Sequence, residues 1–345
     1  MLQSEKEDNP LNGSQDDYRT PLRVLAEVRG LPIGAAVDLA ALETEPEYRQ
    51  TLHKEFNMCV AENAFKALSV WIGPYEYAFD GPDRLAAFAN ENGMMLRGHT
   101  LVWHQAIPGW LREGGYSSHD VRDMLRAYIH AFVGRYRGRI SQWDVVNEAI
   151  GEDETGLRQD SFWHEMLGPD YISEAFMWAH EADPDARLYY NDYGAEDMGP
   201  KAGQVYTLIR RLCDQGAPIH GVGLQCHFES GWRVTDDHRS NILRLEERGL
   251  DWQATECDIR MPLSGAGPTA DQLAEQASSY ADLVGLCLAG ARCRGLLLWG
   301  FTDRHSWIPG FRPGWGAALP FDAYYHPKPA CEALTMTLWG RAEAE

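Results

Sequence analysis

Apolar residues recur along this chain in two alternating rhythms. Short, nearly continuous apolar runs occur at "IGAAVD" (33–38), "FNMCV" (56–60), "MLRGHTLVW" (95–103) and "QWDVVNEA" (142–149). Four more follow, at "RLYYND" (187–192), "GVGLQCHF" (221–228), "DWQATECDI" (251–259) and "GLLLWGFTD" (295–303). Between them the period lengthens. Val121, Met124, Leu125, Tyr128, Ile129, Phe132, Val133 and Tyr136 fall on one face of a helix four turns long. Gly93, Gly216 and Gly249 stand where helices are expected to end. Strands apolar on both faces, alternating with helices, imply a parallel sheet covered by helices. Eight such units predict an α/β protein built as one closed (β/α)₈ barrel, the TIM-barrel architecture. A doubly wound sheet would open with a glycine-rich phosphate turn, and "AAVDLAALETE" is not one. The expected division is a polar N-terminal tail at 1–22 and a single barrel domain at 23–341.

The 345 residues are 44% hydrophobic and 24% charged, enough for a substantial core. Acidic residues outnumber basic ones 51 to 31, giving a net charge of −20. Such a field repels phosphate backbones and anionic membranes, which argues against nucleic acid or membrane partners and favours a neutral substrate. Twelve Trp offer flat apolar faces, although most Trp in any chain is core. The N-terminus shows no apolar export segment, so the chain as given reads as cytoplasmic, or as extracellular if a leader has been removed. A monomer is expected. Seven scattered cysteines without a paired CxxC do not suggest zinc, and no metal or organic cofactor is expected. Cys287 and Cys293 are close enough for a small disulfide loop, with free core thiols an equal reading.

In such a barrel chemistry gathers where strands end. Glu62, Asn63 and Lys66 follow the second run, and His99, Trp103 and His104 end the third. Asn147 and Glu148 close the fourth, and Asn191, Asp192 and Tyr193 the fifth. Gln225 and His227, then Glu256 and Asp258, then Trp299 and Asp303 end the last three. Each has an ordinary alternative: Glu148 a solvated loop acid, Asp192 or Asp303 a cap, Lys66 a surface lysine, Trp299 a core residue. What outweighs those readings is their coincidence at one rim, because buried polar groups are costly unless paired or used.

Two carboxylates, Glu148 and Glu256, with amide, His and Trp neighbours suit glycoside hydrolysis, in which one protonates the leaving oxygen and the other attacks. His227 and Asp258 would hold Glu256 ionised, splitting the two acids into different environments. A metal hydrolase is less well served. His99 and His104, five apart on a strand, fall on opposite faces, and HExxH is absent.

These residues resemble glycoside hydrolase family 10, the (β/α)₈ xylanases of clan A. The likeness rests on "ENAFK" (62–66), "RGHTLVWH" (97–104), "WDVVNEA" (143–149), "LYYNDY" (188–193), "GVGLQCHF", "TECDI" (255–259), "WGFTDRHSW" (299–307) and "LPFDAYYHPKPA" (319–330), in family order. It implies a retaining endo-1,4-β-xylanase acting on xylan or xylo-oligosaccharides. Glu148 would be the general acid/base and Glu256 the nucleophile. Asn147 would grip the sugar 2-hydroxyl, and His227 backed by Asp258 would orient Glu256. Glu62, Asn63, Lys66, His99 and Trp103 would line the glycone side. Gln225, Trp299 and Trp307 would enclose the sugar at the cleavage point, with Tyr193 on the leaving-group side. Cys287 and Cys293 match a disulfide common in secreted members.

The chain departs from the family pattern at several places. Gln105 and Ala106 stand where Ser-Gln is usual, Ala67 where Trp is usual, and Gly194 where Asn is common. Cys226 and Cys257 replace Ser and Leu. These differences imply an intact catalytic set with an altered distal glycone subsite. Two further readings remain at this point: the same barrel acting on another β-linked glycoside, and a catalytically silent xylan-binding barrel.

Overall fold

The computed structural model describes residues 20–152, 156–265 and 267–340. Within them the eight apolar runs become β1 (Ile33–Val37), β2 (Met58–Ala61), β3 (Met95–Trp103), β4 (Gln142–Asn147), β5 (Arg187–Asp192), β6 (Gly221–Leu224), β7 (Asp251–Pro262) and β8 (Cys293–Leu298). Each strand pairs in parallel with the next, and β8 pairs with β1, so the sheet closes on itself. Closure leaves the barrel no unpaired edge.

Helices wrap the outside because their apolar stripes match the outward faces of the strands. The helix Ser118–Arg135 buries Val121, Met124, Leu125, Tyr128, Ile129, Phe132 and Val133, and it starts at a capping box between Ser117 and Asp120. Gly93, Gly216 and Gly249 have φ of 60°, 78° and 75°, the left-handed turn that follows a helix C-terminus. The first helix among the described residues is Leu22–Arg29, and its first residue is fully buried. The barrel therefore takes in Leu22, which the sequence boundary assigns to the tail; residues 1–19 and 341 lie outside those described.

The barrel interior is partly apolar and partly ionic. Ala36, Met58, Val60, Leu297 and Trp299 form one inner cluster. Arg97, 1% exposed, donates through Nε and Nη2 to Asp144 at 3.0 and 2.5 Å. It also donates to Gln142 Oε1 at 2.9 Å and to Gln253 Oε1 at 2.6 Å. Because β3 and β7 are not neighbours, the bond to Gln253 crosses the lumen.

Three strands stop two or more residues short of their apolar runs. β4 stops at Asn147 because Glu148 takes φ 55°, and β6 stops at Leu224 because Cys226 takes φ 62°. Left-handed backbone cannot continue a ladder. After the second break, His227–Glu229 resumes as a short strand paired with β7. β8 ends at Leu298, two residues before Gly300 at φ 95°. All seven cysteines are free thiols, with Cys287 hydrogen-bonded to Cys293 rather than bridged to it. No helix of the described residues is long and apolar enough to cross a membrane.

Candidate active site

The turn at Glu148 has a local cause and a chemical result. Its backbone N–H donates to Asn191 O at 2.9 Å, and the reversed φ leads its carboxylate to the barrel mouth. Strained backbone of this kind is usually held where a side chain must be aimed. Trp103 Nε1 donates to Glu148 Oε2 at 2.8 Å and Gln225 Nε2 to Oε1 at 3.0 Å. Both donors are neutral.

Glu256, midway along β7, has different company. His227 Nε2 lies 3.4 Å from its Oε2, and His227 Nδ1 lies 3.0 Å from Asp258 Oδ2. Trp307 Nε1 donates to the same Asp258 oxygen at 2.8 Å. Burial alone would discharge His227, but Asp258 and Glu256 prevail and raise it to about 10. Burial likewise favours a protonated Glu256, yet His99 and His227 hold it below the usual glutamate range. His99 is itself fixed by Asp144, with Nδ1 3.1 Å from Oδ2. One carboxyl thus sits among neutral donors and the other against a cation.

An amide bridge links the two acids. Asn191 Nδ2 lies 2.6 Å from Glu256 Oε1 and 2.7 Å from Asn147 Oδ1, and Gln225 Nε2 reaches that oxygen at 3.4 Å. Thr255 Oγ1 donates to Asn191 Oδ1 at 2.7 Å. Only glycine allows this: a Cβ at Gly223 would stand 2.1 Å from Asn191 Oδ1. With its oxygen so occupied, Asn147 keeps an Nδ2 that has no partner among the described residues.

These groups share a cavity of about 750 Å³. It is lined by Glu62, Asn63, Lys66, His99, Trp103, Asn147, Glu148, Tyr193, Gln225, His227, Glu256, Trp299 and Trp307. Asp258 lies behind His227, fully buried. Every residue given a catalytic, substrate-binding or supporting role from the sequence is therefore brought to one place, whereas His104, Asp192 and Asp303 of the strand-end set do not line the cavity. Lys66 Nζ donates to Asn63 Oδ1 at 2.9 Å and lies 5.0 Å from the Trp103 ring centre. Burial raises the Glu62 carboxyl and lowers the Lys66 ammonium, each against the other's charge. Tyr193 donates its hydroxyl to Glu152, which also accepts from Arg158 Nη2 at 3.0 Å.

Several contributors lie outside the residues singled out as site members. Asn191 belongs to the strand-end set yet works as the bridge between acids, and Asp144 and Arg97 act from beneath His99. Asp144 is visible in the sequence as a charge inside an apolar run. Asp192 is no cap: it is buried, with Lys201 Nζ at 2.9 Å and the Tyr190 hydroxyl at 2.6 Å, and burial pushes its carboxyl up to about 7. Asp303 accepts from Lys328 Nζ at 2.9 Å and from Leu319 N at 2.9 Å. Ala106 and Ala67 are buried, while the exposed Gln105 lines the cavity. No cluster of three or more His, Cys, Asp or Glu among the described residues is arranged to hold a metal ion.

A closed (β/α)₈ barrel that presents two unlike carboxylates, one just after β4 and one on β7, has the form of a glycoside hydrolase. The family model for glycosyl hydrolase family 10 matches residues 21–337. Endo-1,4-beta-xylanase B of Thermotoga neapolitana is 38% identical over 324 residues, covering 93% of this chain and 92% of that protein. Xylanase 10B of Thermotoga petrophila RKU-1, solved in complex with xylobiose, superposes with a TM-score of 0.89 at 37% identity, covering 95% of this chain and 99% of that one. Native xylanase 10B of Thermotoga maritima gives 0.89 at 38% identity, covering 93% and 98%. The chain belongs to glycosyl hydrolase family 10.

Proposed function

We propose that this chain is a retaining endo-1,4-β-xylanase that cleaves internal bonds of xylan or its oligosaccharides. The observation that carries the reading is the division of labour between the two carboxyls. Glu256, held ionised by His227 and His99, is the nucleophile; Glu148, among the neutral donors Trp103 and Gln225, is the general acid/base.

In the first displacement Glu256 attacks the anomeric carbon while Glu148 protonates the departing glycosidic oxygen. A covalent glycosyl-enzyme results. In the second, Glu148 takes a proton from water, which attacks the same carbon and frees Glu256. The unpartnered Nδ2 of Asn147 supplies a donor for the sugar 2-hydroxyl, a contact that strengthens as the ring approaches the transition state. Trp299 and Trp307 shield the reacting ring, and the T-shaped contact of Trp299 with His99, 5.1 Å between ring centres, fixes the wall. The relatives named as xylanases and the structure bound to xylobiose support xylo-oligosaccharides as substrate.

The test is a chromatographic product profile from glucuronoxylan and xylohexaose, with Glu256→Ala as blank. Short β-1,4-xylo-oligosaccharides from both are expected. Cleavage of neither sinks the xylanase reading and turns the search to other β-glycosides. Retained binding without turnover by the unaltered chain would make it a binding barrel.

A further inference from the structure

The turn that aims Glu148 is held from the outer face of the sheet as well as from within. Asn191 faces the two acids. Tyr190 and Asp192, its neighbours on β5, therefore share the opposite face of that strand. Both are fully buried there. The Tyr190 hydroxyl accepts from Ala149 N at 3.0 Å and donates to Asp192 Oδ2 at 2.6 Å. The other Asp192 oxygen accepts from Tyr193 N at 3.0 Å and lies 2.9 Å from Lys201 Nζ. Burial and the Asp192 charge push the Tyr190 hydroxyl up, so it keeps the proton it donates.

Ala149 is the residue after the left-handed Glu148, whose φ is 55°. Such backbone at a residue other than glycine persists only where its surroundings over-determine it. Here two successive amides are fixed from one strand. Glu148 N donates to Asn191 O at 2.9 Å, and Ala149 N to the Tyr190 hydroxyl. On the carbonyl side, Arg158 N donates to Ala149 O at 2.8 Å, and Arg158 Nε lies 3.4 Å from Glu148 O. Trp103 and Gln225 hold the far end of the carboxylate, but they cannot correct a Cα that has shifted.

The ordinary reading of the Tyr190 contact is a buried amide that has found a partner. Two features say more. The hydroxyl meets the chain at the residue next to the acid. A hydroxyl that donates to a buried carboxylate is also polarised into a better acceptor for that amide.

We propose that Tyr190, backed by Asp192, is a positioning residue for acid catalysis, its hydroxyl holding the Ala149 amide so that the Glu148 carboxyl stays aimed at the departing oxygen. The proposal rests on the reading of Glu148 as general acid/base given above. Tyr190 acts through the backbone and needs no contact with substrate.

The test uses two aryl β-xylobiosides whose leaving groups need different amounts of acid help. Phenolate departs poorly unless it is protonated; 2,4-dinitrophenolate leaves without a proton. In Tyr190→Phe, kcat/KM for the phenyl substrate should fall about 10- to 100-fold, the effect of a misplaced general acid. For the dinitrophenyl substrate kcat/KM should stay close to that of the wild type. Its kcat should still fall, together with KM, because the second displacement needs Glu148 as base and the glycosyl-enzyme accumulates. A merely structural defect would lower kcat/KM on both substrates alike. Glu148→Ala is the reference and should show the same split in larger form. Equal losses on both substrates in Tyr190→Phe, or wild-type values on both, overturn the proposal and leave the acid assignment standing. Should Tyr190→Phe not fold, Asp192→Asn keeps the side chain's shape and should show the split at smaller size. No split in Glu148→Ala would overturn the assignment of the acid itself, and the proposal with it.

Discussion

Asn191 Nδ2 donates to Glu256 Oε1 across 2.6 Å, passing over the position where Gly223 has no side chain. The contact runs from β5 to β7 above the intervening strand, so it exists only if that strand carries glycine there. It gives the nucleophile a third polar neighbour besides His227 and His99, and it ties Glu256 to Asn147.

Asn191→Ala should therefore lower kcat/KM on xylohexaose about 10- to 100-fold, the worth of one hydrogen bond to a charged group. Gly223→Ala should act in the same direction by pushing the Asn191 amide aside. Initial rates for both variants check this; wild-type rates in Asn191→Ala would remove the amide from the mechanism.

The pH profile carries a second expectation. Glu256 must be ionised to attack, so activity falls as pH drops through its pKa, and His227 helps to hold that pKa low. His227→Gln removes the cation and should move the acid limb of kcat/KM to higher pH. The limb is read from rates across the acid range, and an unmoved limb would show that His227 does not tune Glu256.

The same pair predicts how stability depends on pH. His227 is raised to about 10 in the fold, against about 6.5 for an unperturbed imidazole. Its contribution is complete below about pH 6.5 and is lost as pH rises towards 10. Thermal melting should weaken over that window in the wild type, and less steeply in His227→Gln.

Arg97→Met leaves Asp144 buried without its guanidinium partner. Breaking a buried pair in this way costs about 3–5 kcal/mol. Denaturant unfolding should report a loss of that order, with activity at low temperature also reduced because Asp144 positions His99.

Most of the barrel was legible because its signals are local. The runs at 95–103 and 187–192 coincide with β3 and β5, and the stripe from Val121 to Val133 is the buried face of one helix. Where the reading overshot, at 148–149, 225–226 and 299–303, the chain turns at a residue of positive φ, which leaves no mark in a pattern of apolar positions. The short helix Ala67–Val70 and the hairpin of Trp71–Gly73 with Glu76–Tyr77 went unread for want of periodicity. The rim residues were legible as polar groups closing apolar strands. Asn191 as a bridge was not, because its role depends on Gly223 and Glu256 from two other strands. Arg97 was hidden inside a motif where the neighbouring His99 drew the chemistry.

The central claim is that Glu256 forms a covalent bond to the sugar and Glu148 then delivers water to the opposite face, the one the leaving group vacated. The most direct measurement is proton NMR of the first seconds of xylohexaose hydrolysis, read at the anomeric position before mutarotation. The β-anomer should appear first with the wild type, and no product should form with Glu256→Ala. An α-anomer appearing first, or unchanged hydrolysis by Glu256→Ala, would contradict the account.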